Sequence, residues 1–226
     1  MGLDKLNKKI EIKNEKNIKI LILTLILHHV MLYLFDITDR FRFKEPWPWP
    51  HNISLLLMTI VVAAPVVFVY FKFSLNKEKV NIKNWKQYII GILLYIPVWL
   101  VAQINYGRAI PADFSDYARY EGDMLWTFFY YFFCVALYEE FMFRVYVQGE
   151  LQIIMGKAKF LAPLIAGILF GYAHIVNGDM EQVLLTTAIG IVLGYAKYFI
   201  KDCTFISVVI AHGLYDYILT WGLPFF

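Results

Sequence analysis

The sequence predicts an all-α fold, a polytopic bundle of about seven membrane-spanning helices with its N-terminus in the cytoplasm. Three observations predict it. Of 226 residues, 60% are hydrophobic and 17% are charged, against about 45–50% and about 25% in an ordinary soluble domain. The apolar residues gather in runs near the roughly 20 residues needed to cross the hydrocarbon core. Lysines concentrate in alternate connections between those runs, the pattern that orients spans in a bilayer.

The runs cover 18–35, 53–73, 87–106, 124–152, 160–176, 182–200 and 203–223. The first follows a tail carrying Lys5, Lys8, Lys9, Lys13, Lys16 and Lys19. It is too long for the apolar part of a signal peptide, and no small-residue cleavage site follows it, so it reads as a retained span. Pro65 in the second run is expected to kink it. The fourth run is long enough to require tilt or protrusion. The second connection carries Lys77, Lys79, Lys83 and Lys86, the fourth Lys157 and Lys159, and the sixth Lys197 and Lys201. The others are richer in acids, with Asp113, Asp116, Glu121, Asp179 and Glu181; Arg40, Arg42 and Lys44 in the first are a weak exception. The alternation puts the C-terminus outside and Trp47, Pro48, Trp49 and Pro50 at the outer interface, where Trp is favoured.

With no internal repeat and no separate soluble segment, residues 1–226 read as one transmembrane domain. The net charge of +3 is accounted for by topology, so the expected partners are membrane lipids and not nucleic acid. The Ile/Lys-rich composition suggests a prokaryotic cell membrane. Cys134 and Cys203 make no disulfide framework and read as inert thiols. His28 and His29 read as satisfied core residues.

Chemistry concentrates in the last hundred residues. Glu139, Glu140, Arg144, His174, His212 and Asp216 lie inside apolar runs, where a charge is costly and is read first as a functional site. Counting places them at one depth. Glu139 lies about fifteen residues before the fourth connection and His174 about fifteen after it, each roughly 20 Å from the turn if both arms are antiparallel helices. His212 and Asp216 reach a similar depth from the same side. Glu140 and Arg144 stand at i,i+4 and can pair on one helix face. Glu139 lies about 100° round the helix, which leaves it free for proton transfer. His212 and Asp216 are also i,i+4, so Asp216 can orient the imidazole.

Glu139-Glu140-Phe-Met-Phe-Arg144, Phe170-Gly-Tyr-Ala-His174 and His212-Gly-Leu-Tyr-Asp216 resemble the three motifs of the CPBP family. This is the CAAX protease or bacteriocin-processing (Abi) family of intramembrane proteases. The resemblance covers about residues 124–220. It implies that Glu139 is the catalytic glutamate, that His174 works with it to activate a water, and that His212 binds the oxyanion, with Glu140 and Arg144 in support. The family often has Asn where this chain has Asp216. An amide donates a hydrogen bond and an ionised carboxylate does not, so Asp216 acts protonated, orients His212, or marks a subgroup.

The function expected from that resemblance is hydrolysis of a peptide bond in a membrane-associated protein or peptide by a water that Glu139 and His174 activate. No Ser or Cys lies in the three motifs to serve as nucleophile. The expected substrates are membrane-associated peptides, bacteriocin or signalling-peptide precursors, or membrane-anchor stubs. The family has been described both as glutamate proteases and as metalloproteases, and Glu139, His174 and His212 are also the candidate ligands of a Zn²⁺ site. The metal-free reaction is preferred here. The alternative functions are a non-proteolytic membrane scaffold or a bacteriocin self-immunity protein; a transporter would more often show inverted repeats and broken helices.

Overall fold

A computed structural model describes residues 2–42, 51–105, 124–176 and 178–220. Trp47, Pro48, Trp49, Pro50, Lys44, Asp113, Asp116 and Glu121, to which the sequence assigns interface or loop roles, lie outside the described residues. Among the described residues seven helices follow one another: α1 Gly2–Arg42, α2 His51–Phe73, α3 Lys86–Asn105, α4 124–155, α5 Ala162–Ala173, α6 Met180–Phe199 and α7 Phe205–Thr220. No strand occurs among the described residues. The all-α fold is therefore the one observed, with fewer full-length candidate spans than the seven the sequence predicts. Among the described residues, four stretches are long and apolar enough to cross a membrane: Asn14–Leu34, Lys86–Ile104, Leu125–Val176 and Met180–Phe199. Thr59–Phe73 and Phe205–Leu219 are shorter apolar helices.

The 52-residue stretch Leu125–Val176 is not one rod. Gly156 holds φ at +53°, a conformation glycine adopts without steric penalty, and a 3₁₀ turn, Gly156–Leu161, follows. The chain reverses there, since Glu139 and His174 end within 4.0 Å of each other. Pro65 lies inside α2 and Pro97 inside α3.

The chain forms two compact units, Met1–Lys77 with Tyr146–Ala162, and Glu78–Val145 with Pro163–Phe226. In the first, α1 packs on α2, Thr24 Oγ1 meets Tyr146 Oη at 3.3 Å, and His29 Nδ1 donates to the Leu25 carbonyl at 2.8 Å. Buried Glu150 anchors the chain after α2. Its Oε1 accepts from Ser74 Oγ at 2.5 Å, Leu75 N at 2.6 Å and Asn76 N at 3.1 Å.

The second unit holds the larger core. Leu94 and Val98 of α3, Leu185, Ile189 and Leu193 of α6, and Val208, Ala211 and Tyr215 of α7 form one buried cluster. Gln87 pins the ends of α3 and α7 together. Its carbonyl accepts from Ser207 Oγ at 2.8 Å and its Oε1 accepts from Thr204 Oγ1 at 2.6 Å. Cys134 and Cys203 are free and buried, in keeping with inert thiols.

The α5–α6 crossing is backbone-close, with small residues at the contact as in membrane helix pairs. A Cβ on Gly171 would overlap Thr187 Oγ1 and stand 2.7 Å from the Val183 carbonyl; one on Gly190 would lie 3.0 Å from Gly167 Cα. Because α5 carries His174 at its end, this contact sets where that imidazole sits. Gly171→Ala is expected to lower stability by about 1–3 kcal/mol through overpacking, read from the unfolding midpoint in detergent. An unchanged midpoint refutes the tight crossing.

Candidate active site

Glu139 and Glu140 close a short α-helical turn, Leu137–Glu140, between two π-helical segments, Tyr130–Ala136 and Phe141–Val147. The sequence predicts a regular α-helix here; π turns inside α-helices are rare and gather at functional sites. Arg144 lies in the second π segment, and its Nε still reaches Glu140 Oε2 at 3.0 Å. The contact is an ion pair and not an aligned hydrogen bond, because neither atom has a hydrogen-bond partner.

Glu140 does more than balance Arg144. Its Oε1 accepts a hydrogen bond from His212 Nδ1 at 2.8 Å. One carboxylate thus links an arginine on its own helix to an imidazole on α7. The expected His212–Asp216 pair also forms, with Nε2 3.2 Å from Asp216 Oδ2. Both ring nitrogens of His212 therefore face carboxylate oxygens. Two ionised carboxylates satisfy both nitrogens only when the ring carries both protons.

His174 opens the 3₁₀ turn His174–Val176 at the end of α5. Its Nδ1 lies 2.9 Å from the Phe170 carbonyl. A carbonyl only accepts, so Nδ1 donates this hydrogen bond; in the neutral tautomer that leaves a lone pair on Nε2. That Nε2 is 4.0 Å from Glu139 Oε2, and His212 Nε2 is 3.8 Å from the same oxygen. Glu139 Oε2 is buried without a hydrogen-bond partner. The structure thus gathers all six sequence-selected residues around one point.

Accessibility divides them into two tiers. The side chains of Glu139, His174 and Asp216 are 23%, 18% and 18% exposed, although the Glu139 Oε2 atom itself is buried. Those of Glu140, Arg144 and His212 are 0%, 1% and 6% exposed and support the open tier from beneath.

Phe170 joins the tiers, a role not read from the sequence. The Arg144 guanidinium carbon sits 4.3 Å from its ring centroid, a cation–π distance. The same ring packs edge-on against His174 at 4.9 Å, His212 at 5.8 Å and Phe143 at 5.2 Å. The legible signal was its position at i−4 from His174, on the same helix face.

Zn²⁺ bonds of 2.0–2.2 Å place neighbouring tetrahedral donors about 3.3–3.6 Å apart, closer than the 3.8 and 4.0 Å from Glu139 Oε2 to the two imidazoles. Among the described residues, no group of three or more His, Cys, Asp or Glu side chains is placed to hold a metal. The donor set in this arrangement does not fit a three-ligand ion.

Comparison with known proteins gives one finding: residues 121–218 match the family described as type II CAAX prenyl endopeptidase, Rce1-like. That segment holds every residue of the site. No curated protein and no solved structure gives a significant match.

Proposed function

We propose, from the premise that residues 121–218 belong to the Rce1-like family of CAAX-type intramembrane proteases, that this chain hydrolyses a peptide bond of a membrane-associated protein or peptide through a water held by Glu139 and His174. The observation that carries the proposal is the separation of 4.0 Å between Glu139 Oε2 and His174 Nε2. It is too long for a direct hydrogen bond. One water, about 2.8 Å from each atom, spans it with an angle of roughly 90° at its oxygen.

In this scheme Glu139 takes the proton of the water as its oxygen attacks the scissile carbonyl. The His174 Nε2 lone pair accepts the second O–H, which aims the water lone pair. The tetrahedral intermediate carries its negative charge beside His212, the doubly protonated ring that Glu140 and Asp216 flank. Nε2–H turns from Asp216 to the oxyanion as that charge develops, and losing one such donor typically lowers kcat about 10²–10³-fold. Asp216 is then an orienter of His212 and not an oxyanion donor. Glu139 returns its proton to the leaving amine. One water is consumed, and a carboxylic acid and an amine are released.

The test uses the purified protein in nanodiscs with a panel of membrane-associated peptides. Cleavage is expected in the wild type and is expected to persist after chelator treatment. Activity lost to the chelator and regained on adding Zn²⁺ overturns the metal-free mechanism. Absence of cleavage across the panel counts against the peptidase reading.

A further inference from the structure

Lys197 is a charged residue that the catalytic scheme does not use. In the sequence it reads as a topology lysine of the sixth connection. In the structure it lies in the last turn of α6, and its side chain is only 15% exposed. Its ammonium pairs with Glu78 Oε2 at 2.6 Å, on a carboxylate 20% exposed. A longer hydrogen bond of 3.4 Å runs from Nζ to the carbonyl of Arg144. An ionisable pair withdrawn from solvent in an apolar protein is expensive unless it has a task.

The Arg144 contact indicates the task. Arg144 belongs to the π-helical segment Phe141–Val147, where backbone geometry departs from the regular helix. Its side chain leads to Glu140 at 3.0 Å, Glu140 to His212 at 2.8 Å, and His212 to Glu139 at 3.8 Å. A shift of the Arg144 backbone would therefore reach the imidazole that faces Glu139. An ammonium has three donors in tetrahedral array, so one Lys can hold a carboxylate and a carbonyl together.

We infer that Lys197, oriented by Glu78, is a positioning residue that holds the Arg144 backbone in its π turn and so sets the placement of Glu140 and His212. The inference rests on the peptidase reading for its effect on rate, and on geometry alone for its effect on His212. Two readouts separate these in the full chain in nanodiscs. One is the kcat and KM of peptide cleavage. The other is the ¹⁵N resonances of the His212 ring, assigned by their absence from a His212→Asn sample.

Lys197→Met is expected to lower kcat by up to about 100-fold, as a displacement of about 1 Å at a catalytic group can, with KM changed by less than about threefold. It is also expected to shift the His212 ring resonances. Lys197→Arg, which keeps the charge and donors, is expected to stay within about threefold of wild-type kcat. The reversed pair, Lys197→Glu with Glu78→Lys, restores an ion pair but puts no donor at the Arg144 carbonyl. It is expected to recover the unfolding midpoint and not kcat. Wild-type kcat with an unshifted His212 ring in Lys197→Met overturns the inference, as does a reversed pair that recovers kcat. If the wild type cleaves nothing, a shifted ring upholds the positioning role while the peptidase reading falls, and an unshifted ring overturns the positioning role as well.

Discussion

Glu139→Gln is expected to abolish peptide cleavage while leaving the protein folded and as stable as the wild type, or more so. The substitution keeps shape and volume and removes the negative charge together with the ability to take a proton. Positioned proton transfer contributes about 10²–10⁴-fold to rate, so cleavage should fall by at least that lower bound. The stability half of the expectation comes from the surroundings. Glu139 Oε2 is buried without a hydrogen-bond partner, and its nearest imidazole nitrogens stand at 3.8 and 4.0 Å. A carboxylate held that way is a burden on the fold, and a neutral amide lightens it; active sites commonly sacrifice stability in this manner. Initial rates and the unfolding midpoint, measured on the same preparation, check both halves. Cleavage within tenfold of wild type would remove Glu139 from the chemistry. A wild type that cleaves nothing, with binding or immunity that survives Glu139→Gln, would favour the scaffold or self-immunity role instead.

Arg144→Met is expected to be the most destabilising single change at the site. It removes the counter-charge of a carboxylate that is 0% exposed and leaves the Phe170 ring without its cation. Breaking one side of a buried ion pair costs about 3–5 kcal/mol when the remaining charge is left unpaired; His212 Nδ1 stays 2.8 Å from Glu140, so the loss is expected toward the lower end of that range. The physical cause makes a second prediction. Adding Glu140→Gln to Arg144→Met removes the stranded charge while keeping an oxygen that accepts from His212 Nδ1. The double variant should therefore recover at least about half of the loss, a coupling of the size seen for directly interacting groups. Denaturant titration in detergent measures all three proteins. A loss below about 1 kcal/mol in Arg144→Met, or losses that simply add in the double variant, would show that Glu140 is not held as an ion there.

Much of this site could be read without coordinates, and the reasons are local. Glu140 with Arg144, and His212 with Asp216, are each one helical turn apart, and a helix places such pairs side by side whatever surrounds it. Counting from the fourth connection put Glu139 and His174 at one depth, and the chain does reverse at Gly156. Other features resist such arithmetic. The Glu140–His212 hydrogen bond joins residues 72 positions apart, and it depends on how far each helix is rotated about its own axis. Lys197 counts as a topology charge by composition, yet it turns inward because Glu78 and the Arg144 carbonyl stand within its reach. The π turns around Leu137–Glu140 leave no mark in the hydrophobic pattern.

The amino-acid order by itself determined the material and the inventory. Runs too apolar for water must lie in lipid as helices, since only there are their backbone groups all paired, and six polar side chains inside those runs must find one another. The tertiary structure alone decided which oxygen faces which nitrogen. Glu140 became the shared anchor of Arg144 and His212, while Glu139, one residue earlier, was left with an unpartnered oxygen at water-bridging distance from two imidazoles. The physical reason is that adjacent residues on a helix point about 100° apart, and only the packing of α5 and α7 against α4 determines which direction meets a partner.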